Sequence, residues 1–234
     1  MIVETAIGNN FARFHVSKTI LICHGFPYEG GSVIEKSYSD LANFFSNISP
    51  TLIFDFSGCG NSRGYFSFKN CVRDLKRIAN KFKNVSIIGY SMGALVAMKA
   101  VAEIENVERL ALISPPLPEI FSEDRLKMMY YHALSIIRIK RFEDFRSEMI
   151  ELERGDLLDY LCKSSIPKLV VHGTKDEVVP FECGEKIYRA ISEPKYFMKI
   201  INGDHFLRKN QKVMQKVRDW FEDKLRDKEI EINV

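Results

Sequence analysis

Short apolar runs rich in β-branched residues and bounded by turn residues recur along the chain, at 19–23, 51–56, 85–89, 109–114, 168–172 and 196–201. Their near-continuous hydrophobicity predicts strands covered on both faces. Between them, apolar positions fall at helical spacing: Ile34, Tyr38, Leu41 and Phe45, then Val72, Leu75, Ala79 and Phe82, and finally Val213, Val217, Trp220 and Phe221. Strand alternating with helix predicts an α/β fold with a mostly parallel sheet and helices on both faces, because parallel neighbours need crossover connections. The runs at 2–7 and 11–16 are too close for a crossover and predict an antiparallel edge. The alternation breaks once. From about 117 to 165 there is no strand pattern. Two helix-like ones stand there, Leu126, Met129, Tyr130, Ala133 and Ile137, then Phe142, Phe145, Met149 and Leu152. The expectation is one domain over 1–234 with a helical cap inserted at about 117–165.

Composition narrows this picture. A chain of 234 residues with 46% hydrophobic content suits one core, and no Pro/Gly/Ser-rich linker or internal repeat divides it. The net charge of +3 arises from interspersed 34 basic and 31 acidic side chains, which leaves no stripe to track phosphates and argues against a nucleic-acid partner. No apolar stretch has membrane-spanning length and the first residues lack the pattern of a leader, so the expectation is a cytoplasmic protein with no membrane anchor. Five scattered cysteines without a C-x-x-C pair suggest neither zinc nor redox chemistry.

In an open parallel sheet the chemistry gathers at the carboxyl ends of the strands. After the run at 85–89 comes Gly89-Tyr90-Ser91-Met92-Gly93 and then a helix-favouring stretch, the G-x-S-x-G nucleophile elbow in its strand–turn–helix setting. Its glycines remove side chains where the following helix and a neighbouring strand pass close. A serine hydroxyl needs a base oriented by a carboxylate, and behind such an elbow these follow in the order acid, then histidine. The run at 168–172 leads to Gly173-Thr174-Lys175-Asp176, and the run at 196–201 to Asn202-Gly203-Asp204-His205. Asp176 is the candidate acid, with Glu177 and Asp204 as competitors, and His205 the candidate base; His172 closes its own strand and reads as packing. Oxyanion donors are expected from the N–H of Met92 and from Phe26 in His24-Gly25-Phe26-Pro27. The glycine-rich loop at 55–64 lacks the lysine of a phosphate-binding loop and reads as a structural element beside the site. Met129, Tyr130 and Phe145 of the insertion either line a substrate pocket or glue the insertion to the body.

Taken together, HGF at 24–26, D-x-x-G-x-G-x-S-x-G at 55–64, GYSMG at 89–93, HGTKDEVVP at 172–180 and GDHF at 203–206 resemble the α/β-hydrolase superfamily over essentially the whole chain. The short insertion and the loop at 55–64 resemble those of small carboxylesterases, feruloyl and cinnamoyl esterases among them, and more distantly of monoacylglycerol lipases and serine aminopeptidase-like hydrolases. Cys59 stands where such proteins often have histidine. Serine at 91 separates the chain from the dehalogenase and epoxide-hydrolase members, which use aspartate, and from dienelactone hydrolases, which use cysteine. The resemblance implies hydrolysis of a small-molecule acyl ester through an acyl-enzyme on Ser91, with no metal or organic cofactor. A thioesterase or peptidase on the same residues, or an inactive binding module, are the alternatives it leaves.

Overall fold

The apolar runs assemble into one eight-stranded sheet in the order β1-β3-β2-β4-β5-β6-β7-β8. The strands are β1 (Thr5–Ile7), β2 (Thr19–Cys23), β3 (Thr51–Phe54), β4 (Val85–Tyr90), β5 (Val107–Ile113), β6 (Lys168–Gly173), β7 (Lys195–Ile201) and β8 (Glu229–Asn233). This computed structural model describes residues 5–7, 18–33, 38–152 and 154–234. Strand β1 runs antiparallel to β3, with Thr5 opposite Phe54, and every other pair is parallel. Of the runs at 2–7 and 11–16, residues 5–7 form an antiparallel edge on β3, whereas 2–4, 11–16 and Ile34 lie outside the described residues.

Eight α-helices among the described residues cover the sheet: α1 (Ser39–Phe45), α2 (Phe68–Ala79), α3 (Met92–Ala100), α4 (Glu123–Ala133), α5 (Phe142–Ile150), α6 (Arg154–Lys163), α7 (Phe181–Ala190) and α8 (Gln211–Phe221). The two-residue period of a strand divides the core in two. Leu21, Ile87, Leu112 and Val170 face Leu75 of α2, Leu95 of α3 and Ile187 of α7. Their neighbours Ile22, Ile88, Ile113 and Val171 face the other way, onto Phe45 of α1 and Trp220 of α8. Strands β2, β3 and β4 are buried along their whole length, so each had to read as continuously apolar.

Strand ends shift by a residue or two, and three larger features differ from the pattern. Strand β3 stops at Phe54 because the next backbone groups bond to side chains instead of a neighbouring strand. The Phe56 N–H donates to His24 Nε2 at 3.1 Å, and the Ser57 N–H donates to Asp74 Oδ2 at 2.8 Å. The edge strand β8 has no apolar run, since EIEIN is polar at every second position; it pairs with β7, and Lys199 meets Glu231 at 2.9 Å. Between β5 and β6 lie three helices rather than two. The third, α6, buries Leu157, Leu158 and Leu161 and packs against α3 and α7. No helix among the described residues is long and apolar enough to cross a membrane.

Candidate active site

Strand β4 ends directly in Ser91, whose backbone sits at φ 50°, ψ −117° before α3 begins. A positive φ is strained for a residue with a Cβ, and the neighbours hold it. The Ser91 N–H donates to the Ile113 carbonyl at 2.9 Å, and the Ser91 carbonyl accepts from the Ala94 N–H at 2.9 Å. The flanking glycines answer the steric demand of the turn. A Cβ on Gly93 would lie 2.2 Å from the Cys23 carbonyl oxygen, and one on Gly89 would lie 2.6 Å from the Ala94 Cα. The Met92 N–H stands in the first turn of α3, where intrahelical partners are absent and the helix end favours developing negative charge.

The loops after β6 and β7 are joined by their backbones. The Thr174 N–H donates to the Ile200 carbonyl and the Lys175 N–H to the Gly203 carbonyl, both at 2.9 Å. This brings Asp176 to His205: Asp176 Oδ2 accepts from His205 Nδ1 at 2.8 Å. Asp176 Oδ1 in turn accepts the N–H groups of Val178 at 2.9 Å and Val179 at 2.7 Å. Burial alone would push this carboxyl up. The His172 ring facing Oδ2 at 3.5 Å and the hydrogen bonds from His205 and Val179 outweigh that penalty and hold it well below the usual carboxylate range. The competing acids lie elsewhere: Glu177 is exposed, and exposed Asp204 accepts the Phe206 N–H at 2.8 Å in a local turn.

At the end of β2, His24 is buried and doubly bonded. Its Nδ1 donates to the Gly25 carbonyl at 2.7 Å, and its Nε2 accepts from Phe56. Those partners fix a neutral ring, and burial brings its pKa down to about 4, with the Gly25 carbonyl opposing the shift. The unfolded chain protonates this histidine near 6.5 and the fold only near 4. Its contribution to stability is therefore complete above pH 6.5 and is lost as pH falls toward 4, at a cost of about 3 kcal/mol. The melting temperature of the native protein should thus fall more between pH 6.5 and 4 than that of His24→Gln. Parallel curves would show that His24 does not drive the loss.

Two cavities meet at Ser91. The smaller, of about 50 Å³, is lined by Gly25, Tyr28, Tyr38, Ser91, His205 and Arg208, with the Arg208 guanidinium 4.7 Å from the Tyr38 ring centre. The larger, of about 340 Å³, is lined by Phe26, Ser91, Met92, Ile120, Phe121, Met128, Met129, Val178 and Val179. Ser91, His205, Asp176, Phe26 and Met92 are thus gathered at one end of the sheet, and Met129 reaches the larger cavity.

Tyr130 and Phe145 do not line either cavity. Tyr130, turned about 100° from Met129 on α4, stacks edge-on against Phe142 and donates its hydroxyl to the Lys140 carbonyl at 2.7 Å. Phe145, 2% exposed, lies behind the Phe26 ring with centroids 6.5 Å apart. Both fasten the inserted helices rather than touch the site. Ile120, Phe121 and Val178 also line the larger cavity, though the sequence does not single them out as pocket residues; the first two come after β5 and the last stands two residues after Asp176. Arg138 likewise carries no signal in the sequence. Its guanidinium donates to the carbonyls of Gly60, Ser62 and Gly64 while its backbone bonds Gly58 and Phe66, so the glycine-rich loop moors the insertion. Cys59 sits buried in that loop, and burial pushes its thiol up. Among the described residues no group of three or more His, Cys, Asp or Glu is placed to hold a metal ion.

Comparison with known proteins fits this geometry. The model of the alpha/beta hydrolase family matches residues 20–208. An uncharacterized protein of Acanthamoeba polyphaga mimivirus is 24% identical over 210 residues, which are 81% of this chain and 67% of that protein. The uncharacterized protein YfhR of Salmonella typhi is 25% identical over 65% of this chain, and the match spans 53% of its own length. Among solved structures, Est1E from Butyrivibrio proteoclasticus, with ferulic acid bound, superposes with a TM-score of 0.76 at 18% identity over 95% of both chains. The monoacylglycerol lipase of Paleococcus ferrophilus gives 0.70 at 14% identity, over 96% of this chain and 100% of the lipase. At these identities the structural likeness is one of fold.

Proposed function

The chain belongs to the alpha/beta hydrolase family, and from that premise we propose that it is a serine hydrolase cleaving carboxylic esters of small molecules through an acyl-enzyme on Ser91. The observation that carries this reading is the placement of Ser91, at φ 50°, in a cavity shared with His205, whose far ring nitrogen is held by Asp176. With Nδ1–H tied to the carboxylate, His205 keeps Nε2 free of a proton and takes the one from Ser91 as the hydroxyl attacks. The N–H groups of Phe26 and Met92 receive the oxyanion. His205 then passes its proton to the leaving oxygen, and water, activated by the same ring, releases the acyl group. The test is a fluorophosphonate probe: a covalent adduct on the peptide containing Ser91 supports the reading, and an unlabelled folded protein refutes it.

The two cavities divide the substrate. The leaving oxygen has to lie within hydrogen-bond reach of His205, so the alcohol enters the small cavity that this histidine lines, and the acyl chain enters the larger apolar one. Esterase and lipase structures among the similar folds support a small-molecule ester. On this reading Met129→Ala enlarges the acyl cavity and should shift the ratio of kcat/KM for octanoate and butyrate esters by about 10-fold. Tyr130→Ala and Phe145→Ala should lower thermal stability and leave that ratio in place. A Met129→Ala profile that only scales down uniformly would put the acyl group elsewhere.

A further inference from the structure

His172, next to last in β6, has no part in the mechanism above, yet it is the other imidazole at the Asp176 carboxylate. Its side chain is fully buried, edge-on to Phe181 with ring centroids 5.9 Å apart. Its Nε2 lies 3.0 Å from the Val179 carbonyl and 3.5 Å from Asp176 Oδ2. Both are acceptors, so the ring proton sits on Nε2, and Nδ1, which has no hydrogen-bond partner, faces α7. There Gly184 leaves room for it, since a Cβ at that position would come 2.5 Å from Nδ1.

A closed circuit results. Asp176 Oδ1 accepts the Val179 N–H, the Val179 carbonyl accepts His172 Nε2–H, and the same nitrogen faces Asp176 Oδ2, which receives His205 on its other side. We propose that His172 is a positioning residue for the acid: by holding the Val179 carbonyl and facing Oδ2, it fixes the plane of the Asp176 carboxylate so that Oδ2 meets His205 Nδ1 in line. A packing residue needs only ring volume, whereas this circuit needs a donor at Nε2. The depressed pKa of Asp176, to which His172 contributes, agrees with such a contact. Because a misplacement of about 1 Å in a catalytic array costs on the order of 10²-fold in rate, the circuit matters to kcat and little to ground-state binding.

This inference rests on the serine-hydrolase reading for its kinetic consequence alone. The experiment compares His172→Phe, which keeps the ring volume, with His172→Gln, whose amide reaches the position of Nε2. Three readouts are taken: kcat and KM for p-nitrophenyl acetate, the downfield proton resonance of His205 Nδ1–H, and melting temperature. His172→Phe should lose about 10²-fold in kcat with little change in KM and move or broaden the His205 proton, and His172→Gln should restore most of both. A folded His172→Phe with native kcat and an unshifted proton overturns the proposal, as does an equal loss in both variants. Should His172→Phe not fold, the comparison passes to His172→Gln against His172→Asn, whose amide is one carbon too short for the Val179 carbonyl, and equal behaviour of that pair overturns it. If the unaltered protein takes no fluorophosphonate, the serine reading fails, and the His205 proton alone still decides whether His172 holds the acid.

Discussion

Ser91→Ala is expected to lower kcat for a short activated ester by about 10⁶-fold and to leave the fold and its melting temperature almost unchanged. Both halves follow from the position of the hydroxyl. In the proposed reaction it is the atom that attacks, so nothing replaces it. In the fold it makes no cap hydrogen bond to α3, and the bonds that hold the turn come from the Ser91 backbone, which alanine retains. Alanine also has the same Cβ and carries the same strain at φ 50°. A His205→Ala change on top of Ser91→Ala should cost little more, because residues that act as one unit are not additive. Turnover of the single variant within about tenfold of the native rate would remove Ser91 from the mechanism.

The fold was legible where burial on both faces leaves a simple signature. Runs such as TILIC and VSIIGY have no polar side to hide, and the residues after them stand at the carboxyl edge of the sheet, which is why the strand ends single out Ser91, Asp176 and His205 as candidates. What stayed hidden depends on contacts between distant segments. EIEIN has the alternation of a half-exposed edge strand, and only its partner β7 distinguishes it from a polar tail. Arg138 looked like one surface charge among many, since its acceptors are backbone carbonyls more than seventy positions earlier. Met129 and Tyr130 are adjacent on one helix, and the sequence does not say which of them turns to the cavity; the answer lies in the rotation of α4 against α5. His172 reads as packing because burial is all that its strand position implies, and its polar partners belong to a loop that folds back over it.

Asp176→Asn is expected to be the most informative change to the acid, with kcat falling by about 10⁴-fold while the native shape persists. Two backbone N–H groups already donate to Oδ1, and they select the orientation in which the asparagine oxygen takes that place. Its amide nitrogen must then face His205 Nδ1, where it is a donor. The ring is driven to the tautomer with its proton on Nε2, and that nitrogen no longer accepts from Ser91. Glu177→Gln and Asp204→Asn, exposed and directed elsewhere, should leave the rate close to native. The same substitution also bears on acid stability. A carboxylate whose folded pKa is depressed stabilises the fold fully above its unfolded value of about 3.9, and loses that contribution as pH drops below it. Asp176→Asn lacks the group, so its melting temperature should fall less steeply than that of the native protein below about pH 4. A native rate in Asp176→Asn, or a crippled Glu177→Gln, would move the acid role to another residue.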